Sequence, residues 1–423
     1  MARFEAGCSI IIDGPACVKL VSGALRALGV EYRDRGRIIV REGRSIPLEF
    51  LEDSEAEVSS ASNPSFERVE GGVYPSEWLE AIRIASKLDP ADILVLGGVD
   101  VGKSTFALML ANHILNAGLK PVAVVDGDLG QTDIGPPGAL SYTLLDKPTV
   151  DLFDLRFEEA VFVGSLTPYQ AVDEIVESLA YLKARASSRS RATIVNTDGW
   201  FTVEASPYKA RIVERLKPKA TVIIDGDLDL SLIEGKAKEV GSNVVKIPPP
   251  RYIRGKTRSD RKSRRELCYR KYFVDPAIRK IPIAWIKFLN LPIGLGAALH
   301  VDRLKGISAT LGFECIYGEH TGSMLYIVAR MNTEGCVEAE YKGIKCVVIP
   351  YRLIERLLVG VYDQMEVFRG LAILRSIFMD GDKGVVELIT SYRGPIGCLK
   401  AGSVKLDESF REVAKFKYSV SAR

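Results

Sequence analysis

The chain has 423 residues, 47% apolar and 26% charged, which is the composition of a soluble globular protein of roughly two to four domains with at least one sizeable core. No stretch approaches the roughly 18 consecutive apolar residues that span a bilayer, and Met1-Ala2-Arg3-Phe4-Glu5-Ala6-Gly7 lacks the pattern of a secretory signal, so the expected location is cytoplasmic, away from any membrane. The net charge of +3 hides a concentrated basic segment: residues 251–271 hold seven Arg and three Lys against Asp260 and Glu266, a local +8 that leaves −5 for the remainder and forms a field suited to gathering polyanions.

In chain order, residues 9–57 carry short apolar runs at 9–12, 37–40 and 46–50, broken by Gly, Pro and Asp, which predict a small β-rich unit. The polar stretch Ser59-Ser60-Ala61-Ser62-Asn63-Pro64-Ser65 predicts a loop. From about 76 to 250 the rhythm changes to short β-branched runs alternating with longer amphipathic segments, the signature of a parallel sheet flanked by helices. Strands are expected at 93–96, 122–125, 160–163, 193–196, 221–224 and 243–247, and helices at 104–117, 169–184 and 204–216, the first closed by Gly118. Pro248-Pro249-Pro250 stops regular structure, and the basic run after it has helical spacing over 258–272. Beyond about residue 292, short strands return at 324–329, 336–341, 346–349 and 384–390. The organisation expected is an α/β chain with a β-rich N-terminal domain (1–75), a central P-loop domain with its parallel sheet (76–290) and a β-rich C-terminal domain (291–423).

Seven cysteines, odd in number, widely spread and without a C-x-x-C, argue against a disulfide framework or a zinc site. Three glutamines in the whole chain fit the depletion of thermolabile amides in hyperthermophiles.

The chemistry starts at Gly97-Gly98-Val99-Asp100-Val101-Gly102-Lys103-Ser104-Thr105, a Walker A sequence directly after a predicted strand and before a predicted helix, the context such a motif needs. Glycines let backbone N–H groups wrap the phosphates of ATP, and the helix N-terminus adds its positive end. Lys103 is placed to reach the β and γ phosphates, Ser104 to ligate Mg²⁺ and Thr105 to bond a phosphate oxygen further back. The second strand ends in Asp126-Gly127-Asp128, carboxylates at the C-terminal edge beside the cradle; one can hold Mg²⁺ through water and the other can take a proton from an acceptor hydroxyl, the bland alternative being two solvated turn aspartates. The base-reading Asn/Thr-Lys-x-Asp of a GTPase and the Leu-Ser-Gly-Gly of an ABC ATPase are both missing, which leaves a kinase or a partner-regulated ATPase.

The P-loop, then Asp126-Gly127-Asp128-Leu129-Gly130-Gln131, Pro136-Pro137-Gly138, Asn196-Thr197-Asp198-Gly199-Trp200 and an Arg-rich segment ending Arg270-Lys271-Tyr272-Phe273 together resemble the polynucleotide 5′-hydroxyl kinase family, which includes the eukaryotic pre-mRNA cleavage-factor kinase, the pre-rRNA-processing kinase and archaeal homologues. The resemblance runs in order from about 15 to 275 and thins beyond. It implies ATP-dependent phosphorylation of RNA or DNA 5′-OH ends, with RNA-processing partners unspecified. It also implies Asp128 as the carboxylate that activates the hydroxyl, Asp126 nearer the metal, and Thr167 with Trp200 clasping the terminal nucleotides. Gln131 is placed to touch the terminal phosphate or nucleotide, with a plain turn residue as the alternative. The family's lid, around 251–273 here, carries an Arg-x-x-x-Arg pair that maps onto Arg261 and Arg265 within one register step. Arginine suits such a lid because its planar fork spreads charge over the oxygens of a transferring phosphoryl. Gly98 stands where the family often has proline. Two rival readings keep the fold and change the role: an ATP-binding scaffold subunit without turnover, and a small-molecule kinase. His113 reads as a packing residue, and no histidine is assigned to catalysis.

Overall fold

The run Ile93-Leu94-Val95-Leu96 is buried on both faces, as a strand must be when helices cover its sheet above and below. It lies at the heart of a seven-stranded sheet in a computed structural model that describes residues 1–60, 66–69, 72–225, 229–252 and 255–415. Its strands are β1 (Ala91–Gly97), β2 (Val122–Gly127), β3 (Ala139–Leu145), β4 (Glu159–Phe162), β5 (Ala192–Thr197), β6 (Ala220–Ile224) and β7 (Asn243–Ile247), in the order β4-β3-β2-β5-β1-β6-β7. β2, β5, β1, β6 and β7 run parallel, each to its neighbour. All six strands expected here form, each within a residue or two of its expected bounds.

β3 is a strand that the sequence pattern does not predict, and it pairs antiparallel to β2. The reason is chain length. Residues 128–138 contain no helix and close on Pro136-Pro137-Gly138, with the Gly138 N–H returning to the Leu129 carbonyl at 2.9 Å, so the chain can only reverse. A parallel return needs a crossover of a dozen or more residues.

Helices α1 (Ser76–Ala85), α2 (Lys103–Asn116), α3 (Val172–Ser187), α4 (Ser206–Leu216) and α5 (Ser231–Glu239) accompany the sheet, and α6 (Arg258–Tyr272) follows it. Gly118 closes α2 with φ 85°, as its position predicts. α1 and α5 are additions to the expected helices, and the segment expected as helix from 169 opens instead with a short 3-10 turn, Pro168–Gln170. His113 faces solvent on α2 rather than packing.

Two compact units are formed, one from Met1–Val161 with Thr167–Arg265, the other from Phe162–Leu166 with Glu266–Arg423. In the first, the N-terminal residues make two antiparallel sheets. One orders Ala2–Phe4, Ser54–Ser60, Ala16–Ser22 and Arg37–Val40; the other orders Val30–Arg33, Ala24–Ala27, Ser45–Phe50, Ser9–Asp13 and Phe66–Val69. Buried and exposed residues alternate along Arg37–Val40, as the period of a half-covered strand requires. Their apolar faces, including Leu20, Ile10 and Phe50, belong to one cluster with Ile93, Val95, Phe106 and Leu110 of the P-loop layers. Ser59 and Ser60, expected in a loop, end the strand Ser54–Ser60; the rest of that expected loop, 61–65, lies outside the described residues.

The second unit has a larger sheet in the order Ala277–Pro282, Lys383–Thr390, Phe368–Asp380, Leu357–Tyr362, Cys398–Leu406 and Lys287–Leu289, with Glu412–Lys415 paired to Cys398–Leu406. A five-stranded sheet built around Glu314–His320, Met324–Arg330 and Ile344–Pro350 is packed by α7 (Val301–Leu311). The four strands predicted beyond residue 292 all lie in these two sheets. Cys268, Cys346 and Cys398 are buried, and all seven cysteines are free thiols. Among the described residues no helix is long and apolar enough to cross a membrane.

Candidate active site

The turn between β1 and α2 can be made only by glycines at its ends. Gly97 has φ 154°, and a Cβ there would lie 2.5 Å from the Ile224 carbonyl oxygen; Gly102 caps α2 at φ 94°, where a Cβ would press to 2.9 Å on the Trp78 ring. The first turn of α2 carries no acidic residue, so its N–H groups and positive end are left for an anion. Lys103, the first residue of α2, is buried, and its ammonium donates to the Gly98 carbonyl at 2.5 Å. Burial pushes Lys103 down to about 8, with Lys209 adding to the effect against the opposing pull of Asp128, Asp198 and Asp100. A desolvated lysine of this kind gains most from a phosphate arriving beside it.

Asn196, at the end of β5, donates to the Ser104 hydroxyl at 3.1 Å. Its Oδ1 is buried with no hydrogen-bond partner among the described residues. Asp126 lies nearby on β2, fully enclosed. Its carboxylate accepts from the Asp128 N–H (3.2 Å), the Thr132 hydroxyl (2.9 Å), and the N–H groups of Asp133 (2.6 Å) and Ile134 (3.4 Å). Burial, reinforced by the neighbouring Asp128 charge, raises Asp126 to about 6. Asp126 thus ties down the 128–134 loop. Asp128 is only half-buried; one oxygen accepts from the N–H groups of Gly130 and Gln131, both at 2.9 Å, and the other accepts no hydrogen bond among the described residues.

The arginines of α6 come to this loop and to the P-loop. Arg261 pairs with Asp100 at 2.8 Å, and the same Asp100 oxygen accepts from the Lys256 N–H at 3.0 Å. Asp100 itself holds φ 59°, a left-handed conformation that aims its side chain at the helix. Gln131 donates to the Arg261 carbonyl at 3.1 Å, and its own Oε1 is buried without a hydrogen-bond partner among the described residues. Arg264 and Arg265 are both buried. Arg264 ion-pairs with Asp133, which Arg44 of the N-terminal β-region also reaches at 2.6 Å. Arg251 is exposed, while Ile253 and Arg254 of the expected lid lie outside the described residues.

Trp200 is half-buried just past β5. Its backbone N–H donates to the Asp198 carboxylate at 2.8 Å and its ring stacks on Tyr208 at 5.6 Å. Gly199 brings this turn onto the P-loop: a Cβ there would sit 2.8 Å from the Val99 side chain. Thr167 is exposed at the head of the Pro168–Gln170 turn. Lys103, Asp128, Gln131, Asp100 and Arg261 therefore converge at the C-terminal edge of the sheet, where open α/β folds bind ligands, with the Trp200 turn against the same loop.

Residues 97–275 match the family model described as the mRNA cleavage and polyadenylation factor CLP1 P-loop. The chain is 24% identical over 342 residues to the polyribonucleotide 5′-hydroxyl-kinase of Pyrococcus abyssi and 27% identical over 346 residues to that of Methanocaldococcus jannaschii, in each case covering 80% of this chain and 94% of the relative. The chain is thus similar to the polynucleotide 5′-hydroxyl kinases, through the family model in its P-loop region and through the archaeal relatives over most of its length. A solved structure titled as wild-type Clp1p in complex with Pcf11p (454–563) superposes with a TM-score of 0.67 at 14% identity, covering 96% of this chain and 97% of that one, which shows the shared fold. The chain is a phosphotransferase built on a P-loop, and ATP is the donor that such a loop takes.

Several residues of this kinase site are invisible in sequence. Asn196 and Asp198 sit inside a recognised motif, yet nothing in it shows that one leans on Ser104 and the other under Trp200. Asp133, Arg44 and Lys209 belong to no motif; their signal is charge enclosed by the fold.

Proposed function

We propose that this chain transfers the γ-phosphoryl of ATP to the 5′-hydroxyl end of a polyribonucleotide. The observation that carries the reading is the meeting of Lys103, Asp128 with one oxygen unengaged, and Arg261 at one sheet edge, with the Trp200 turn packed on Val99. The acceptor class follows from the relatives, which are named for polyribonucleotide 5′ ends.

In this reading the N–H groups of the P-loop and the start of α2 hold the phosphate chain of ATP, and Lys103 neutralises the β and γ oxygens. Ser104 and Asn196 would hold a hydrated Mg²⁺, since the Asn196 Oδ1 is buried without a donor among the described residues and a metal-bound water would supply one. When bound there, the ion would supply positive charge to the phosphate oxygens. Asp126 serves by ordering the loop that presents Asp128. The unengaged Asp128 oxygen takes the proton of the 5′-hydroxyl as the new O–P bond forms and the bond to the β-phosphate bridging oxygen breaks. Arg261 leaves Asp100 to meet the charge that grows on the γ oxygens, and Arg265, one turn along α6, backs the same helix. Trp200, with Thr167, holds the terminal nucleotides by stacking, which any base can accept.

The test is to incubate the full chain with a 5′-hydroxyl oligoribonucleotide, its DNA counterpart, Mg²⁺ and γ-labelled ATP. Label on the RNA 5′ end that disappears with Asp128→Ala supports the reading. ATP binding with no label on either polymer, in folded protein, would replace it with the scaffold role.

A further inference from the structure

Behind the Trp200 turn lies a charged cluster that the transfer chemistry leaves unused. Asp198 is 5% exposed, Tyr208 4% and Lys209 0%. The Lys209 ammonium pairs with the Asp198 carboxylate at 3.0 Å, donates to the Asp198 backbone carbonyl at 3.1 Å, and sits 4.7 Å from the centre of the Tyr208 ring. The Tyr208 hydroxyl donates to the same carboxylate oxygen at 2.7 Å, while the other oxygen accepts from the Trp200 backbone N–H at 2.8 Å. The Tyr208 ring in turn is the surface on which the Trp200 indole rests, at 5.6 Å and 30°.

Enclosing a lysine this completely is costly, and burial accordingly pushes Lys209 below its ordinary range. A methionine would fill similar space without that cost. What the pair adds is fixed geometry: one carboxylate gathers three donors from two elements, and two of the three belong to residues that hold the indole. We infer that Asp198, Tyr208 and Lys209 are positioning residues for the acceptor, setting the orientation of the Trp200 platform and thereby the affinity for the polynucleotide end, while ATP binding is left to the P-loop. This rests on the reading of Trp200 as the stacking surface.

The experiment measures KM for a 5′-hydroxyl oligoribonucleotide and KM for ATP in the full chain, together with thermal unfolding, for Lys209→Met, Tyr208→Phe and Trp200→Ala. Base stacking carries about 1–3 kcal/mol, so Trp200→Ala and Lys209→Met should each raise the oligonucleotide KM about tenfold. Tyr208→Phe, which keeps the ring and both charges and deletes one hydrogen bond, should raise it about fivefold. At pH 7, where Lys103 is charged with or without Lys209 beside it, the ATP KM stays within about twofold in all three; uniform loss of folded protein would change neither KM, and loss at the P-loop would move the ATP value. Equal rises in both constants, or an unchanged oligonucleotide KM in folded Lys209→Met, overturn the inference while leaving the kinase reading intact. If Trp200→Ala raises the oligonucleotide KM and the other two do not, the platform stands and the positioning role falls. If Trp200→Ala leaves it unchanged, the platform and the positioning role fall together. Should Lys209→Met fail to fold, Tyr208→Phe decides alone.

Discussion

The donor and acceptor sides of the site are built by opposite means. The donor side is one uninterrupted stretch, residues 97–105, in which backbone N–H groups and a helix end do the binding and glycines clear the space. The acceptor side is assembled from side chains far apart in sequence, and each is held by a carboxylate: Asp126 orders the Asp128 loop, Asp133 grips Arg264, Asp100 grips Arg261, and Asp198 supports Trp200. A contiguous backbone cradle tolerates drift in its surroundings. A side-chain assembly is only as good as the buried charges that fix it, and so the two sides should fail differently when altered.

The largest effect is expected where the two sides meet. Asp128→Ala should lower kcat by about 10²–10⁴-fold through loss of a general base, with the Kd for ATP changed little. The check is single-turnover labelling of an oligoribonucleotide beside equilibrium ATP binding; a matching collapse in ATP affinity would show that Asp128 belongs to the donor side instead. Next comes Asp133, 5% exposed between Arg44 and Arg264. Breaking a buried ion pair from one side costs about 3 kcal/mol, so Asp133→Ala should reduce unfolding stability by that amount in a denaturant titration. A similar loss is not expected for Asp128→Ala, whose side chain is half-buried.

The same division separates what is legible in the amino-acid sequence from what is not. The cradle and its flanking strand and helix are legible because motif, periodicity and context coincide in a dozen residues around Lys103. The strands at 192–197 and 220–224 are legible because burial on both faces demands unbroken apolar runs. The direction of β3 is not, since it depends on how little chain separates it from β2. Nor is the use of Lys209, one of 57 basic residues, because a lone lysine between a tyrosine and an alanine looks like a solvated helix face until the fold encloses it. The lid register stays open in sequence for a related reason: Arg261, Arg264 and Arg265 are chemically alike and part company only through their partners, Asp100 for the first and Asp133 for the second.

Electrostatics sharpen the contrast between the two sides, with Lys103 on one and Asp126 on the other. Lys103 sits at about 8 in the free protein, so its charged form is lost as pH rises through that value, whereas Asp126, at about 6, gains charge as pH rises through its own. The kcat/KM for ATP should therefore be bell-shaped, climbing through about pH 6 and falling about tenfold per pH unit above about 8, because kcat/KM reports groups of the free enzyme. With ATP bound, phosphate charge holds the proton on Lys103 and the alkaline fall in kcat moves to higher pH. Lys103→Arg, which cannot deprotonate in this range, should erase the alkaline limb and leave the acidic one. An alkaline limb that survives Lys103→Arg assigns it to another group.

The smallest effect concerns the outer face of α6, where Arg258 and Lys262 are exposed one turn apart while Arg261, Arg264 and Arg265 point inward to partners or core. Exposed charges of this kind track a phosphate backbone without reading sequence, and each contact releases about 0.7 of a counterion from a single strand. Arg258→Ala and Lys262→Ala should each weaken oligoribonucleotide binding a few-fold and reduce the slope of log K against log salt by about 0.7, without changing kcat. ATP affinity should respond to neither substitution. A slope unchanged in the double variant would mean that the +8 of residues 251–271 is consumed by the inward pairs, and that the polynucleotide is held chiefly by stacking at Trp200.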